Sequence, residues 1–301
     1  MRELSKLAKF FIICGIVFVV GIVCTVAGAA MGGPQDIEKL ADRYDWIQGE
    51  PGERGVTSYP VEEFHSVAVT GDCDVWLVGK SFYKNASRMA QDDLLTSGEM
   101  DLIEENKVLV IAGDKVVQPE ITVSEGVLTI NAGPRQETSG ISLSSGSWTP
   151  QILVCCPMDP LESLSVSNDY SDLTCLGTAW KNADIQTNSG YTSMEGVDSA
   201  GLSLETESGD CELEGSFVKT TSLKTESGDV KISTSLAKEE YGLNLGTGSG
   251  DIELDGEEAA EGADEEDFEE DGSKARVQIN GGPHTISAET ESGDISIAFG
   301  K

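Results

Sequence analysis

The side chains that most often carry out catalysis are sparse in this sequence. Its two histidines, His65 and His284, lie far apart, and each stands beside an apparent strand. A lone histidine in such a place is usually structural, because a catalytic one needs partners held in a strict geometry. Carboxylate pairs such as Asp210 and Glu212 could act as general acid and base. Equivalent pairs recur along the chain, however, and this indicates a repeated outer face rather than a catalytic centre.

Patterns typical of phosphate and metal binding are also incomplete. The GTGSG run at 246–250 is not followed by Lys and Ser or Thr, as a phosphate-binding loop requires. The seven cysteines include no CxxC pair, which argues against a zinc site. The carboxylates of 255–273 lack the spacing of a calcium-binding loop, although a weak calcium site stays open there. We therefore predict a protein that is not an enzyme, with no catalytic, cofactor-binding or metal-binding residues and no cofactor.

A five-residue motif of the form T-[EG]-S-G-D organises the chain. It occurs at 206–210, 225–229, 247–251 and 290–294, with weaker copies at 168–172 and 187–191. With Ser171 and the glycines as anchors, the copies stand at 171, 190, 209, 228, 250 and 293. The first three steps are 19 residues, the fourth is 22, and the last, 43, is about two periods with an insertion. A fixed period near 20 residues is typical of a solenoid.

Apolar residues keep the same positions around every anchor. Positions two and four after the anchor and five before it are mostly apolar, a threonine usually stands three before it, and polar residues alternate with these. This period of two on both sides of a Ser-Gly-Asp corner predicts a strand, a tight turn and a second strand in each repeat. Stacked at about 4.8 Å per layer, the repeats would bury continuous columns of like residues, with the threonines inside near the corner.

Composition narrows the partners of the protein. The chain has 301 residues, 34 glycines and a formal net charge of −33. Such a charge excludes nucleic acid as a partner, because the protein could not neutralise phosphates. The glycine content and the 6% of aromatic residues favour a turn-rich β protein.

The beginning of the sequence predicts a membrane anchor. Residues 1–9 form a short basic tail, and residues 10–31 carry no charge. As a helix, this run would be about 33 Å long, enough to cross the hydrocarbon core of a bilayer. The basic flank places the tail in the cytoplasm and the remainder outside the cell. A cleaved signal peptide is the alternative, because Ala27-Gly28-Ala29 resembles a cleavage site.

The remainder divides into a connecting segment and one large β domain. Residues 32–60 contain an amphipathic stretch, predicted to cap the stack or lie on the membrane, and then a linker rich in Gly and Pro. The β-repeat domain is predicted over 61–301, with early strands at 66–69, 74–78, 107–111, 126–130 and 151–155. The acidic run at 255–273 cannot bury a core, so we expect a disordered insertion there.

The cysteines of the β domain divide into two groups. Cys175 and Cys211 fall in inward columns, where a thiol behaves as a small apolar group. Cys155 and Cys156 are adjacent and should point to opposite faces of their strand, and Cys73 stands at a turn. A disulfide among Cys73, Cys155 and Cys156 stays open at this point.

The order of these parts resembles a known bacterial family. An anchor, a strand-rich section and T-[EG]-S-G-D-[VIC] repeats, ending at residues 291–297, are similar to the putative-adhesin family of β-strand-repeat domains. The resemblance covers about residues 61–299, and it implies a single-sheeted or β-helical solenoid that faces the outside of the cell. The family brings no catalytic residues. The acidic insertion and Ser171, in place of the corner glycine, depart from its pattern.

Three functions are compatible with these features. The first is a non-enzymatic, membrane-tethered protein that binds envelope proteins or surface ligands. The second is an envelope-sensing accessory that acts through membrane partners. The third, a polysaccharide-active β-helix enzyme, is disfavoured because the repeats show no evident aromatic platform for sugar.

Overall fold

The computed structural model describes residues 53–79, 82, 95, 99–134, 149–157, 159–259 and 275–300. All of them belong to one unit of the chain, formed by Pro51–Gln136 and Ser147–Lys301. The predicted tail, the predicted anchor at 10–31 and the amphipathic part of 32–60 lie outside the described residues. Within the described ranges, no helix has the length and apolar character needed to cross a membrane.

The described chain is built from strands, in agreement with the predicted all-β fold. Two short 3-10 turns, Met100–Leu102 and Lys238–Glu240, accompany them. The strands predicted in the first half are found at the expected places. The strands are β1 (Arg54–Pro60), β2 (Ser66–Thr70), β3 (Asp74–Val78), β4 (Lys107–Gly113), β5 (Glu120–Ser124), β6 (Val127–Asn131), β7 (Gln151–Cys155), β8 (Leu161–Tyr170), β9 (Leu173–Leu176), β10 (Ala179–Ser189), β11 (Thr192–Ser208), β12 (Cys211–Ser227), β13 (Val230–Thr234), β14 (Tyr241–Thr247), β15 (Ile252–Leu254), β16 (Glu257–Glu258), β17 (Ala275–Ile279), β18 (His284–Ser292) and β19 (Ile295–Ala298).

The strands form two faces of a stacked, solenoid-like sheet. Face A has the order β5-β6-β2-β8-β10-β11-β12-β18-β14-β17. Face B has the order β1-β4-β7-β3-β9-β11-β12-β13-β19-β15-β16. The long strands β11 and β12 contribute their first halves to face B and their second halves to face A, and so they join the two faces.

Neighbouring layers pair in parallel at the repeat spacing found in the sequence. Ile185 lies beside Leu204, and Leu204 beside Leu223, each 19 residues on. In the β11–β12 pair, β11 contains one extra residue near Gly196, and β12 contains one extra residue near Lys219. Gly196 has φ 62° and Lys219 has φ 60°, as a bulge in a strand requires. The two bulges preserve the spacing of 19 residues at the next corner.

The predicted inward columns form the core between the two faces. The positions five before, two after and four after each anchor are buried throughout, and so are the threonines three before it. Cys175 and Cys211 are buried in these columns, as predicted. The inside and outside assignment made from the period of two is therefore confirmed.

The order of the layers differs from the order of the chain near both ends of the stack. The pair β18–β19 lies between β12–β13 and β14–β15, although it follows β14–β15 in sequence. Likewise, β2–β3 lies between β6–β7 and β8–β9. The step of 43 residues therefore returns the chain to a position inside the stack, instead of advancing it by two layers.

A second, smaller apolar cluster covers the outer side of face B at one end. It contains Val78, Leu109, Leu153, Cys155 and Leu176, and Leu95 packs with them. Successive residues of β7 alternate between this cluster and the main core. Cys155 lies in the former and Cys156 in the latter, so these cysteines do point to opposite faces.

Residues 255–259 of the acidic insertion are structured. Asp255 and Gly256 have positive φ values of 55° and 77° and form the turn of a hairpin. The short strand β16 then pairs with β15 in antiparallel fashion. The carboxylates of 261 and beyond, up to residue 274, lie outside the described residues.

Candidate functional site

The Ser-Gly-Asp corners stack into a continuous ridge along one side of the molecule. We call it the corner ridge and define it by the residues that follow the anchors, together with Asp74, which is in register with Asp172. In spatial order, the ridge contains Asp74, Asp172, Tyr191, Asp210, Asp229, Asp294 and Asp251. The ridge is the most regular exposed feature that the sequence repeats produce. Its geometry is set by the glycine that precedes each of its later members.

Glycine is required at the corner by both conformation and space. Gly209 has φ 147°, a value that side chains disfavour. A Cβ atom on Gly209 would lie 2.0 Å from the carbonyl oxygen of Gly190 in the adjacent layer. The two layers come this close because the N–H of Gly190 donates to the carbonyl oxygen of Ser208, 3.2 Å away in the layer of Gly209.

Each aspartate side chain that accepts a backbone N–H connects two adjacent layers of the ridge. Oδ1 of Asp172 accepts the backbone N–H of Tyr191 at 2.8 Å, and Oδ1 of Asp229 accepts the N–H of Asp294 at 2.9 Å. The same bond joins Asp74 to Asp172, Asp210 to Asp229 and Asp294 to Asp251. A carboxylate that accepts backbone N–H groups is held in a fixed orientation. The ridge is therefore both rigid and acidic.

The corner between β2 and β3 is one residue shorter than the adjacent corner between β8 and β9. The side chain of Asp72, in the shorter corner, compensates for the missing residue. Asp72 is buried, and its Oδ1 accepts the N–H groups of Asp169 and Tyr170 at 3.1 and 3.3 Å. This carboxylate satisfies the backbone of the layer in which Ser171 replaces the corner glycine. The carboxylate of Asp72 therefore joins the shorter corner to the layer that contains Ser171.

The threonines next to the ridge are buried, as predicted. The hydroxyl of Thr247 donates to the carbonyl oxygen of Gly293 at 2.8 Å, and that of Thr290 donates to Gly228 at 3.3 Å. The hydroxyls of Thr206 and Thr225 are buried and have no hydrogen-bond partner. Bonding to backbone is thus found for some members of the column and not for others.

Two tyrosines interrupt the polar corners. Tyr191 stands on the ridge between Asp172 and Asp210, and its hydroxyl donates to Oε2 of Glu212 at 2.6 Å. Tyr170 stands in the preceding layer, one residue before Ser171. Tyr170 is 57% exposed and Tyr191 is 39% exposed. The sequence showed no evident aromatic platform for sugar among the repeats, and these two exposed rings stand in its two degenerate copies.

Ion pairs across layers flank the ridge. Lys231 contacts Oε1 of Glu212 at 2.7 Å, Lys224 lies 3.7 Å from Glu205, and Lys181 pairs with Glu162. The bond to Glu212 raises the pKa of Lys231 above its usual value. These pairs are exposed, so each stabilises the fold only slightly. The corner ridge itself consists of aspartates and one tyrosine, Tyr191.

The two histidines have structural contacts and lie apart. Nδ1 of His284 accepts the backbone N–H of Lys219 at 2.9 Å, where the bulge of β12 turns that group away from the sheet. Nδ1 of His65 is 3.3 Å from the hydroxyl of Ser66. The structure does not bring the two histidines together.

The described cysteines are buried thiols, and the structure contains no disulfide among them. Burial raises the pKa of Cys211 to about 12, and nearby Asp210 adds to this shift. Burial also raises the pKa of Cys155 and of Cys73 to about 12. Because nucleophilic cysteines need a lowered pKa, these thiols are poorly suited to chemistry.

Within the described ranges, no three His, Cys, Asp or Glu side chains are grouped closely enough to hold a metal ion. A shallow depression on face A, lined by Gln186, Asn188, Glu205, Glu207, Lys224 and Glu226, lies beside the ridge. Its lining consists of polar groups that the repeat places on the outer side of adjacent layers. The ridge and this surface form the candidate site.

Comparison with known proteins gives one family and several solved structures. The family model described as Toastrack DUF4097 matches residues 118–298. A crystal structure of a putative adhesin from Bacteroides fragilis NCTC 9343 has 12% identity and a TM-score of 0.41, over 83% of this chain and 100% of that chain. A putative cell adhesion protein from Clostridium sporogenes ATCC 15579 has 13% identity and a TM-score of 0.40, over 82% and 99%. No curated protein is significantly similar to the chain.

Proposed function

The chain belongs to the Toastrack DUF4097 family, and on this premise we propose that it is a membrane-tethered, extracytoplasmic binding protein without enzymatic activity. Its partners are other envelope proteins or ligands at the cell surface. The stacked domain presents the binding surface, and the apolar run at 10–31 holds the protein at the membrane.

The observation that carries this proposal is the regular outer side of face A. Two columns of outward residues run along it, one formed by Ser165, Asp184, Ser203, Ser222, Ser287 and Asn244, the other by Ser167, Gln186, Glu205, Lys224 and Glu289. Parallel pairing repeats each column at about 4.8 Å. A long, rigid and open array of hydrogen-bonding groups suits an extended partner better than a small substrate, which needs a concave pocket.

The charge of the sequence supports the proposed location. Arg2, Lys6 and Lys9 precede the apolar run, whereas the net charge of the whole chain is −33. Basic residues are retained on the cytoplasmic side of a membrane. An acidic domain outside the cell keeps its solubility and repels anionic headgroups.

Surface labelling of intact cells tests this proposal. A membrane-impermeant amine reagent should label the protein in intact cells, because Lys181, Lys224 and Lys231 are exposed on the stack. A cytoplasmic protein of the same cells is the control. The labelled protein should fractionate with membranes at the full mass of 31.9 kDa. Labelling that requires cell lysis would overturn the location, and a shortened protein in the medium would overturn the anchor.

A further inference from the structure

The two exposed tyrosines mark the place where the repeat changes its surface chemistry. Other layers carry Ser where Tyr170 stands and, on the ridge, Asp where Tyr191 stands. In the part of the chain that the structure describes, the exposed large apolar side chains are Tyr170, Tyr191 and Val117. Tyrosines are enriched at the centres of protein interfaces, where few residues provide most of the binding energy.

The groups around the tyrosines are acidic. Asp172 holds the N–H of Tyr191, and Asp210 follows Tyr191 on the ridge. Asp169 accepts a hydrogen bond from the amide of Asn188 at 3.0 Å, beside Tyr170. Lys231 also lies in this region, but its positive charge is paired with the carboxylate of Glu212. The rings are therefore set in a strongly negative field.

We propose that Tyr170 and Tyr191, with the carboxylates of Asp169, Asp172 and Asp210, form a docking site for a positively charged, arginine-rich segment of a partner protein. A guanidinium group binds the face of an aromatic ring and donates to carboxylates at the same time. The hydrogen bond from the hydroxyl of Tyr191 to Glu212 holds its ring in place, so little side-chain freedom is lost on binding.

The charge of the site selects a cationic partner over a neutral one. Successive layers place the ridge carboxylates at about 4.8 Å, so an extended cationic chain meets several of them. Such a field accelerates association and rejects acidic partners. A neutral glycan could stack on the rings and donate hydroxyl groups to the carboxylates, but it would gain no attraction between opposite charges.

This docking site specifies the kind of partner for the binding function proposed above. It rests on that proposal only because the partner has to reach the site outside the cell. Its test uses the purified full-length chain, so it is independent of the location. The probe is a peptide of four arginines, which is at most about 14 Å long when extended, measured by titration calorimetry or fluorescence anisotropy at 0.15 M salt. A neutral hexasaccharide is titrated in parallel.

The variant Tyr191→Asp tests the contribution of the aromatic ring separately from that of the negative charge. It places on the ridge the residue that neighbouring layers carry, so the fold should persist while the local negative charge increases. We expect about a tenfold loss of affinity for the arginine peptide, the size of a partly desolvated cation–π contact. Tyr191→Phe keeps the ring and should bind within about threefold of the wild-type chain.

Asp251→Asn is the matched control. It removes one carboxylate from the same ridge four layers away from Tyr191, at a distance of about 19 Å. Salt screens charges beyond about 8 Å under these conditions, so the affinity should be unchanged.

Two results would overturn the proposal. The first is Tyr191→Asp binding the peptide as tightly as the wild-type chain or more tightly, which would assign binding to charge alone. The second is a wild-type chain that binds the neutral hexasaccharide and not the peptide.

Discussion

The backbone N–H of Asp229 donates a hydrogen bond to Oδ1 of Asp210, 2.9 Å away in the adjacent layer. The carboxylate of Asp229 in turn accepts the N–H of Asp294. Each aspartate thus satisfies a backbone donor that the corner turns away from the sheet. The side chain that makes the ridge acidic is also the one that joins its layers.

Replacing Asp229 with Ala should destabilise the domain by about 1 kcal/mol, because the N–H of Asp294 loses its acceptor. Asp229→Asn keeps an oxygen acceptor and removes one of several like charges stacked along the ridge, so it should cost less. Urea unfolding at two salt concentrations would measure both variants. Equal losses in the two would show that the charge, and not the hydrogen bond, matters.

Replacing Gly209 with Ala should destabilise the domain by about 2 kcal/mol or more. The new Cβ would overlap the carbonyl oxygen of Gly190, and the residue would keep an unfavourable φ of 147°. Gly246 is the control, because a Cβ there meets no atom within 4 Å. Thermal unfolding should separate Gly209→Ala from Gly246→Ala. Similar melting temperatures would mean that the layers separate easily.

Leu223→Asp should cost about 3 kcal/mol or more, because it buries a charge in a core column where Leu223 is 2% exposed. The neighbouring Lys224→Asp should cost little, since Lys224 is exposed and its 3.7 Å contact with Glu205 is weak. Chemical denaturation of both variants would compare them. Comparable losses would contradict the inside and outside assignment.

Tyr241→Phe should destabilise the domain by about 1 to 3 kcal/mol. The hydroxyl of Tyr241 donates to the carbonyl oxygen of Phe217 at 2.8 Å and lies 2.6 Å from the hydroxyl of Thr234. Tyr241 is 1% exposed, so its removal leaves a buried acceptor without a donor. The control is Tyr191→Phe, which removes an exposed hydroxyl. If calorimetry found the two variants equally stable, the buried contact would contribute nothing.

Stability should fall as the pH rises above 9. The pKa of Cys211 is about 12 in the folded chain and 9.0 in the reference state, so the unfolded thiol loses its proton first. This contribution is complete below pH 9 and is lost between pH 9 and about 12, at about 1.4 kcal/mol per pH unit. Cys211→Ala should therefore show a shallower alkaline slope in urea unfolding. An unchanged slope would mean that the thiol is accessible to water.

The sequence predicted the layers well where repeats follow each other directly. The anchors at Gly190, Gly209 and Gly228 are 19 residues apart, and the apolar positions around them define which side chains are buried. The alternation of apolar and polar residues along a strand is enough to assign the buried side chains, because a shift of the strand pairing by one residue would turn every side chain to the other face of the sheet. The family resemblance drawn from these repeats is confirmed by the family match over 118–298.

The order of the outer layers could not be read from the sequence. The copies at 247–251 and 290–294 are nearly alike, and either would stack on the copy at 225–229 with the same backbone hydrogen bonds. What selects between them is tertiary: Tyr241 reaches past β18 to Phe217, and His284 binds the bulge at Lys219. Neither contact leaves a local pattern.

The aromatic surface was missed for a different reason. Tyr170 and Tyr191 occur in the two copies that match the motif least, at 168–172 and 187–191, and the alignment compared only the positions that the copies share. A search for departures from the repeat, rather than for agreement with it, would have found both. The deviating residues are the ones that give the ridge its distinct chemistry.

The position of β18–β19 inside the stack has a consequence for biosynthesis. A chain that emerges from the ribosome in order can add β8 to β13 layer by layer, but β14–β15 then has to wait for residues 284–298 before it reaches its final neighbours. A product that stops before residue 284 would lack the interior layer formed by β18–β19 and leave the strand edges of β12–β13 without their final neighbours. Those edges would be open to β14–β15 or to strands of another chain, so the layers at this end reach their final order only after residues 284–298 have been synthesised.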